Sequence, residues 1–251
     1  MTATQQHFER QKWREAAVRE SPPPQGTLKY TAICPDEDES HWLALGLLGG
    51  ARRVLEVGAA TGYASEAIAS LGATVVAVEV DDRSASIARQ RGLDVRTGTV
   101  DTVVRPDELF DCVVLLDVIE HVADADRFLD SCLEHLTSDG CVILSVPNIA
   151  HWTVRWSLLR GRFEYTSTGL LDETHLHFYT AASLERLLHE HGCRIVERRQ
   201  ALGLYAYAKS TNREWLWQRR KLVRRAASRW PELFAFQFVW KAVRATGPEH
   251  A

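Results

Sequence analysis

The sequence lacks a long apolar run, paired cysteine motifs and an excess of basic charge. No apolar stretch is as long as a membrane-spanning helix, and the first twenty residues lack the apolar core of a signal peptide. The five cysteines are odd in number and never occur in C-x-x-C spacing, and the formal net charge of −3 gives no basic field for nucleic acid. We therefore expect a cytoplasmic protein with buried thiols, no stable membrane insertion and no nucleic-acid partner.

The amino-terminal region differs in composition from the rest of the chain. Residues 1–26 are polar and end in "SPPPQG", where three consecutive prolines prevent a helix from continuing. Regular patterning starts near Asp38, with a helix expected through Leu48. We predict an arm or linker over 1–37 and one folded domain over 38–251.

Four short, almost continuously apolar runs alternate with helical patterns. The runs are "VLEV" (54–57), "TVVAVEV" (74–80), "CVVLL" (112–116) and "CVILSV" (141–146). Strands covered on both faces of a parallel sheet have this character. After the third run, a helix is expected to begin at the capping residue Asp124, to include Leu136 and to end at Gly140. The repetition predicts an α/β fold with a doubly wound parallel sheet.

The second half of the chain adds five further segments. A helix is expected from about Ala181 to His191, followed by the strand "RIVERRQ", and "FAFQFVWKAV" alternates as a final antiparallel strand would. Residues 148–180 are rich in aromatics and histidines and follow a central strand, so we predict a substrate cap there. The basic stretch 212–230 favours a solvated helix packed on the sheet by its tryptophans, with contact to anionic membranes, nucleic acid or a phosphorylated substrate as the alternative.

The stretch "VLEVGAATG" (54–62) joins the first apolar run to a helical pattern through a glycine-bearing turn. A dinucleotide fingerprint beginning at Gly58 requires glycine at positions 60 and 63, where this chain has Ala60 and Tyr63. Glu79 lies 79 − 58 = 21 residues beyond Gly58, and a carboxylate there accepts hydrogen bonds from both hydroxyls of a ribose. The pattern favours a ligand with a ribose but without a pyrophosphate.

Two segments, "VLEVGAATGYASEAIASLGATVVAVEVDD" and "FDCVVLLDVIEHV", resemble the class I S-adenosylmethionine-dependent methyltransferases over roughly 52–147. The later "PNIAHWTVRWSLLRGRF" is similar to small bacterial members, including the MetW-like group. The resemblance implies a Rossmann-like fold whose seven-stranded sheet is mostly parallel, with a cap insertion after the fifth strand. It implies S-adenosyl-L-methionine as the cofactor. The cofactor-binding positions that it implies are Glu56, Gly58, Ala60, Gly62, Tyr63, Glu79, Val80, Val100, Asp101, Asp117 and Val118.

The family pattern departs from this sequence at the adenine contact. Where the family usually has an aspartate after the third strand, this chain has Thr99. Either Asp101 substitutes for it, or Val100 contributes backbone contacts only.

The motif "DVIEH" (117–121) implies that Glu120 and His121 face the acceptor. His121 is the candidate general base, because an imidazole titrates near neutrality; a hydrogen bond at a helix terminus is the alternative. His151 and His175 are further catalytic candidates, with packing or structural hydrogen bonding as the alternative for each. Asp172, His175 and His177 lack a fourth ligand, so we predict no metal.

We predict an S-adenosylmethionine-dependent methyltransferase that acts on a small-molecule acceptor, at oxygen rather than nitrogen or carbon, in the tailoring of a natural product or sugar. The alternative is a non-catalytic or regulatory MetW-like partner of another biosynthetic enzyme. An NAD-dependent oxidoreductase is disfavoured by Ala60 and Tyr63. The sequence leaves a homodimer open.

Overall fold

The computed structural model describes residues 36–204 and 219–245, which fold around one seven-stranded sheet. The strands are β1 (Arg53–Val57), β2 (Thr74–Glu79), β3 (Asp94–Thr97), β4 (Phe110–Leu116), β5 (Leu136–Pro147), β6 (Cys193–Ala201) and β7 (Gln237–Arg244). Their order across the sheet is β3-β2-β1-β4-β5-β7-β6. Only β7 runs antiparallel to its neighbours. The predicted sheet, mostly parallel with a final antiparallel strand, is confirmed.

The described helices connect these strands or flank them. They are α1 (Ser40–Leu45), α2 (Tyr63–Ser70), α3 (Asp82–Gln90), α4 (Val100–Val103), α5 (Ala125–Glu134), α6 (Trp152–Leu159), α7 (Ala181–Glu190), α8 (Arg220–Arg229) and α9 (Pro231–Phe234), with a 3₁₀ turn at Ile119–His121. The division into an arm and a domain stays a prediction, since 1–35 lies outside the described residues.

The sheet is covered on both faces, which explains the apolar character of its strands. Leu55 of β1 belongs to one buried cluster with Leu129 of α5 and Leu184 of α7. Its neighbour Val54 belongs to a second cluster with Ile68 of α2. Successive side chains of a strand point to opposite faces, so a strand between two helical layers needs apolar residues at nearly every position.

The boundary between α5 and β5 differs from our prediction. Asp124 caps α5 as expected, accepting a hydrogen bond from the Arg127 amide at 3.0 Å, but the helix ends at Glu134 rather than Gly140. Leu136, which the helical pattern included, is the first residue of β5 and is paired with Phe110 of β4. Pairing with β4 and burial of Leu136 in the sheet core override the helical spacing.

The carboxyl-terminal region also differs in detail. β7 begins at Gln237, and Phe234, expected in that strand, ends helix α9. The basic stretch forms α8 over its described part, and Arg224 makes ion pairs with Asp38 at 2.6 Å and Glu37 at 3.4 Å. Trp230, expected to pack this helix on the sheet, is 55% exposed. Trp215 and Trp217 lie outside the described residues.

Thiols and membrane-spanning segments can be checked within the described ranges. Cys112, Cys132, Cys141 and Cys193 are buried free thiols, as predicted. None of the helices in 36–204 and 219–245 has the length and apolar character needed to cross a membrane.

His191, which follows α7, gives the fold a pH-dependent contact. Its ring nitrogens lie 2.5 Å from Asp130 Oδ1 and 3.0 Å from Asp126 Oδ1 on α5. Burial alone would lower the pKa of His191, but these two carboxylates raise it above its usual value. A histidine whose pKa is raised by folding stabilises the protein below about pH 6.5, and this stabilisation is lost as pH rises through the folded-state pKa.

We therefore expect His191 to contribute about 1 kcal/mol of stability below pH 6 that is lost above pH 8, so the difference in free energy of unfolding between wild type and His191→Gln should shrink by about that amount across this range. Urea titrations across this pH range measure the effect. His189→Gln, at an exposed position in the last turn of α7, is the control. An unchanged pH dependence in His191→Gln would contradict the assignment.

Candidate active site

The candidate site lies at the carboxyl ends of β1 and β4, which are neighbours in the sheet. Val57 of β1 is in register with Leu115 of β4, and with Val78 of β2 on its other side. The strand order reverses between β1 and β4, and open α/β sheets bind ligands in the crevice at such a switch point. The turns after β1, β2 and β4 therefore converge there.

Two glycines of the β1 turn are required by close packing. Gly58 has φ +78°, and a Cβ at this position would lie 2.4 Å from Val118 Cγ2. Gly62 has φ +81° and precedes α2, and a Cβ there would lie 2.4 Å from Leu93 Cδ1 and 2.8 Å from Ala88 Cβ. Both positions therefore need glycine for backbone conformation and for space.

Ala60 adopts an unusual backbone conformation between these glycines. Its φ is +48°, in the left-handed region that favours glycine. Its amide donates a hydrogen bond to Glu79 Oε2 at 2.7 Å. The turn thus uses the backbone of Ala60, and its methyl group carries a conformational cost of about 1 kcal/mol.

We expect Ala60→Gly to stabilise the fold by up to about 1 kcal/mol and to leave the affinity for S-adenosylhomocysteine, a ligand of the class that the sequence resemblance implies, within about threefold of wild type. The neighbouring Ala59→Gly is the matched control, because Ala59 is buried and is not at positive φ. That change is expected to destabilise the protein by about 1 kcal/mol through chain entropy. Calorimetric titration and thermal unfolding measure both effects. Equal destabilisation by the two substitutions would refute the strain at Ala60.

The carboxylate of Glu79 is held rigidly at the end of β2. Oε2 accepts from the Ala60 amide, and Oε1 accepts from the Asp81 amide at 2.9 Å. Each carboxylate oxygen has a second lone pair with which to accept a further hydrogen bond. Val80, the next residue, is 69% exposed. An oriented acid beside an exposed apolar side chain suits a ribose attached to a flat apolar ring.

Glu56 lies beneath the turn and is only 2% exposed. Burial raises its pKa to about 7, although a hydrogen bond from the Ser65 hydroxyl opposes this shift; the charge of Glu79 adds to it. The protonation state of Glu56 therefore changes near neutrality.

On the β4 side, Asp117 is fixed by contacts from distant parts of the chain. It has φ +55°, and its Oδ1 accepts hydrogen bonds from Ser145 Oγ at 2.6 Å and Gln237 Nε2 at 3.0 Å. Nearby, His41 is partly buried; desolvation lowers the pKa of its imidazole, and its Nε2 lies 3.2 Å from the Tyr63 hydroxyl. Asp117 is thus held at positive φ by two hydrogen-bond partners, and such a conformation is typical of a functional site.

The two candidates for the adenine contact, which follow β3, lie in different surroundings. Val100 is buried at the start of α4, whereas Asp101 is exposed and lies 3.6 Å from Arg127 in an ion pair. Thr99 and Thr102 form a capping box at the start of α4, in which each side chain accepts a hydrogen bond from the backbone amide of the other residue. The role of Val100 and Asp101 in cofactor binding stays a prediction.

The acceptor-side residues form a compact group. Ligand-type atoms of Glu120, His121 and His175 all lie within 4.8 Å of one another. The rings of His121 and His175 are 4.8 Å apart in an edge-to-face arrangement. His121 Nδ1 lies 3.1 Å from the carbonyl oxygen of Thr174, to which it donates a hydrogen bond. This bond leaves Nε2 with its lone pair.

Glu120 is a buried acid without a hydrogen-bond partner among the described residues. It is 1% exposed, and within 36–204 and 219–245 neither of its side-chain oxygens has a donor. Burial, followed by the charge of Asp117, holds its pKa well above the usual value. The sequence suggested Asp172, His175 and His177 as a possible set of metal ligands. The structure instead brings His175 together with Glu120 and His121.

The other two histidines lie in different surroundings. His151 caps α6, with its Nδ1 2.7 Å from the Thr153 hydroxyl, and burial lowers its pKa to about 4. The catalytic role of His151 stays a prediction. His177 Nε2 lies 3.2 Å from the carbonyl oxygen of Ala123 and belongs to no cluster of ligand-type side chains found in the described part of the chain. His175 and His177 do not share a strand face, because this segment is irregular.

Sequence reasoning missed several residues that shape the site. They are His41, Ser65, Ser145, Thr174 and Gln237. Ser145 carried a signal, since it is a polar residue near the end of a buried apolar strand. The others contact the site only through tertiary structure.

Comparisons with known proteins identify the family. A family model described as a methyltransferase domain matches residues 6–198. The chain belongs to this family. Its sheet and its turn after β1 place it among the class I S-adenosylmethionine-dependent methyltransferases, whose cofactor is S-adenosylmethionine.

Curated relatives and solved structures agree with the family. Proteins named ubiquinone biosynthesis O-methyltransferase, from Chelativorans sp. and Cereibacter sphaeroides, are 31% and 33% identical over 138 residues. Each match covers 48% of this chain, with 54% and 56% of the relatives, so the chain spans about half their length.

Two solved structures resemble this family member over most of its length. Magnesium protoporphyrin IX methyltransferase from Synechocystis, with bound SAH, matches with a TM-score of 0.55 and 16% identity over 96% of this chain and 95% of its own. The [4+2]-cyclase SpnF matches with a TM-score of 0.59 and 15% identity over 96% of both chains. At these identities the likeness shows the fold alone.

Proposed function

We propose that this protein transfers a methyl group from S-adenosylmethionine to a hydroxyl oxygen of an apolar small molecule, in a biosynthetic tailoring pathway. The observation that carries the proposal is the fixed Glu79 carboxylate, 2.7 Å from the Ala60 amide and next to the exposed Val80. This arrangement fits the ribose and adenine of the cofactor. Four buried thiols support a cytoplasmic location as part of the proposal.

The chain's own residues then have distinct tasks. Bound S-adenosylmethionine supplies an activated methyl group on a sulfonium. Glu79 accepts hydrogen bonds from the ribose hydroxyls, Gly58 lets the backbone approach the cofactor, and Val80 packs against the adenine. Asp117 and Val118 border the cofactor on the β4 side. The protein's main task is alignment of the acceptor oxygen with the methyl carbon.

Acceptor activation is assigned to the residues that follow β4. His121 is the proton acceptor in this proposal, because its Nδ1 is held by Thr174 and its Nε2 lone pair remains available. His175 packs against it and orients the acceptor.

An aromatic cluster in the cap supports an apolar acceptor. The Phe178 ring lies 6.1 Å from the ring of His175, and Phe163 and Tyr165 lie within 6.4 Å of Phe178. Phe163 and Tyr165 are 45% and 56% exposed. The curated relatives are named O-methyltransferases, which supports oxygen as the methylated atom.

The test has two stages. Calorimetric titration with S-adenosylhomocysteine should show one site per chain. Incubation with methyl-labelled S-adenosylmethionine should transfer label to one class of a panel of phenols and hydroxylated polyketides but not to sugars, which serve as polar controls. His121→Ala should abolish transfer without abolishing cofactor binding. Absence of S-adenosylhomocysteine binding would overturn the proposal.

A second candidate, a non-catalytic partner of another biosynthetic enzyme, is favoured by the exposed apolar side chains of α6. Trp156 is 50% exposed and Leu159 is 79% exposed. Surfaces of this kind serve protein contacts as well as ligands. Cofactor binding without turnover of any acceptor, together with recovery of one stable protein partner, would favour this candidate.

A further inference from the structure

The group of Glu120, His121 and His175 has features that methyl transfer alone does not explain. A buried carboxyl group without a hydrogen-bond partner is costly, since an unsatisfied polar group loses its hydration without compensation. Glu120 is 1% exposed, and no described residue donates to either of its oxygens. Its neighbours are two imidazoles rather than the arginine or lysine that normally pairs with a buried acid.

Both imidazoles are oriented through hydrogen bonds to backbone groups. His121 Nδ1 donates to the carbonyl oxygen of Thr174 at 3.1 Å, and His175 hydrogen-bonds the backbone of Leu170. Histidines that bind metals almost always donate their other ring N–H to a carbonyl or carboxylate, which fixes the tautomer.

The carboxylate of Asp172 holds Thr174, and through it His121, in place. The Thr174 hydroxyl lies 3.1 Å from His121 Nδ1 and donates to Asp172 Oδ1 at 2.7 Å. Asp172 is 2% exposed, and its Oδ1 also accepts a hydrogen bond from the Thr174 amide at 2.9 Å. The loop that carries His175 is therefore fixed at the point where it meets His121.

We propose that Glu120, His121 and His175 bind a divalent transition-metal cation of the zinc type, with at least one coordination position left for the acceptor hydroxyl. Two imidazoles and one carboxylate suit zinc, iron, cobalt or manganese, whereas magnesium prefers oxygen ligands. Three protein ligands leave a position open, as in catalytic zinc sites.

The size of the group fits a cation after a small inward movement. The three ligand atoms lie within 4.8 Å of one another, and ligands of a tetrahedral zinc are about 3.4 Å apart. Side-chain rotations that move each atom by about 1 Å close this difference. The peptide framework is already tied together here, because the Leu176 and His177 amides donate to the Glu120 carbonyl oxygen at 2.8 and 3.1 Å.

The cation changes how the acceptor is activated, and this part rests on the proposed function. A hydroxyl bound to the cation loses its proton to solvent water, because coordination lowers the pKa of the hydroxyl. The oxygen then forms a bond to the methyl carbon while the carbon–sulfur bond breaks and its electron pair remains on sulfur. His121 serves as a ligand in this case, so its lone pair is no longer available for the proton.

Zinc binding by the full chain, after treatment with a chelator, tests the site directly. Equilibrium dialysis against zinc chloride should give one zinc per chain, bound at least about tenfold more tightly than magnesium. Glu120→Gln and His175→Gln should each weaken zinc binding by at least about tenfold. His177→Gln, two residues from His175 but outside the group, should bind zinc as wild type does.

Thermal unfolding provides a second measurement, which remains informative when one variant folds poorly. Zinc should raise the melting temperature of the wild type and of His177→Gln but not of Glu120→Gln. Zinc binding that is equal in wild type and Glu120→Gln, or that His177→Gln weakens as much as His175→Gln does, would overturn the proposal. Titration of S-adenosylhomocysteine into the same chelated samples reports cofactor binding separately, so failure of the metal site and failure of the proposed function give different results.

Discussion

Glu79→Ala is expected to weaken the binding of S-adenosylhomocysteine by at least about 100-fold. The carboxylate would lose two charge-assisted hydrogen bonds to the ribose, each worth about 1.5–3 kcal/mol, and 1.4 kcal/mol corresponds to a factor of ten. The substitution also removes the acceptor of the Ala60 amide, 2.7 Å away, so the β1 turn loses its support. Calorimetric titration at constant pH and ionic strength measures the loss.

Two further variants distinguish this contact from a general effect of charge. Glu79→Gln keeps the shape and one acceptor oxygen and should lose affinity by about tenfold, because a neutral acceptor forms weaker hydrogen bonds. Asp82→Asn, three residues later, removes a carboxylate that is 83% exposed and paired with Arg89, and should bind as wild type does. If Glu79→Ala retains affinity within threefold while its circular dichroism is native, Glu79 does not bind the ribose.

Gly58→Ala is expected to destabilise the fold by about 2–5 kcal/mol and to weaken cofactor binding by at least about tenfold. The new Cβ would lie 2.4 Å from Val118 Cγ2 at a φ of +78°. Overpacking costs about 1–3 kcal/mol and a left-handed conformation about 1–2 kcal/mol more. Relief of the clash displaces either the β1 turn or the residue after Asp117, and both border the cofactor.

The double variant Gly58→Ala with Val118→Ala separates these two costs. Removal of the Val118 branches should recover the steric part, leaving a deficit of about 1–2 kcal/mol from backbone conformation. Val118→Ala alone should have the smaller effect, because its side chain is only partly buried. Urea unfolding measures all three variants. A double variant no more stable than Gly58→Ala would show that Val118 is not the obstacle.

Local features of the sequence predicted the cofactor side of the site. Gly58, Gly62 and Glu79 lie on one β-turn-helix-β unit, so their spacing determines their arrangement. The alternation of apolar runs with helices predicted the sheet, although the pairing of Leu136 with Phe110 moved the end of α5. The four-residue β3 contains Asp94 and Arg96 and lacks the apolar run by which the other parallel strands were recognised.

The acceptor side depends on contacts that spacing does not encode. His121 meets the Thr174 carbonyl across 53 residues of sequence, and Asp117 meets Gln237 across 120. Glu120 looked like one residue of a motif until its burial and lack of donors were known. The sequence alone therefore named His121 and His175 but could not show that they are in contact.

The position of β7 constrains the order in which the protein can be assembled. β7 is the last described strand along the chain, yet it lies between β5 and β6 and pairs with both. Before it enters, β5 has an unpaired edge, and such edges recruit other chains. Gln237 at the start of β7 also donates to Asp117 at 3.0 Å. During synthesis the ligand site is therefore incomplete until this late strand is inserted, and the edge of β5 is open to pairing with other chains until then.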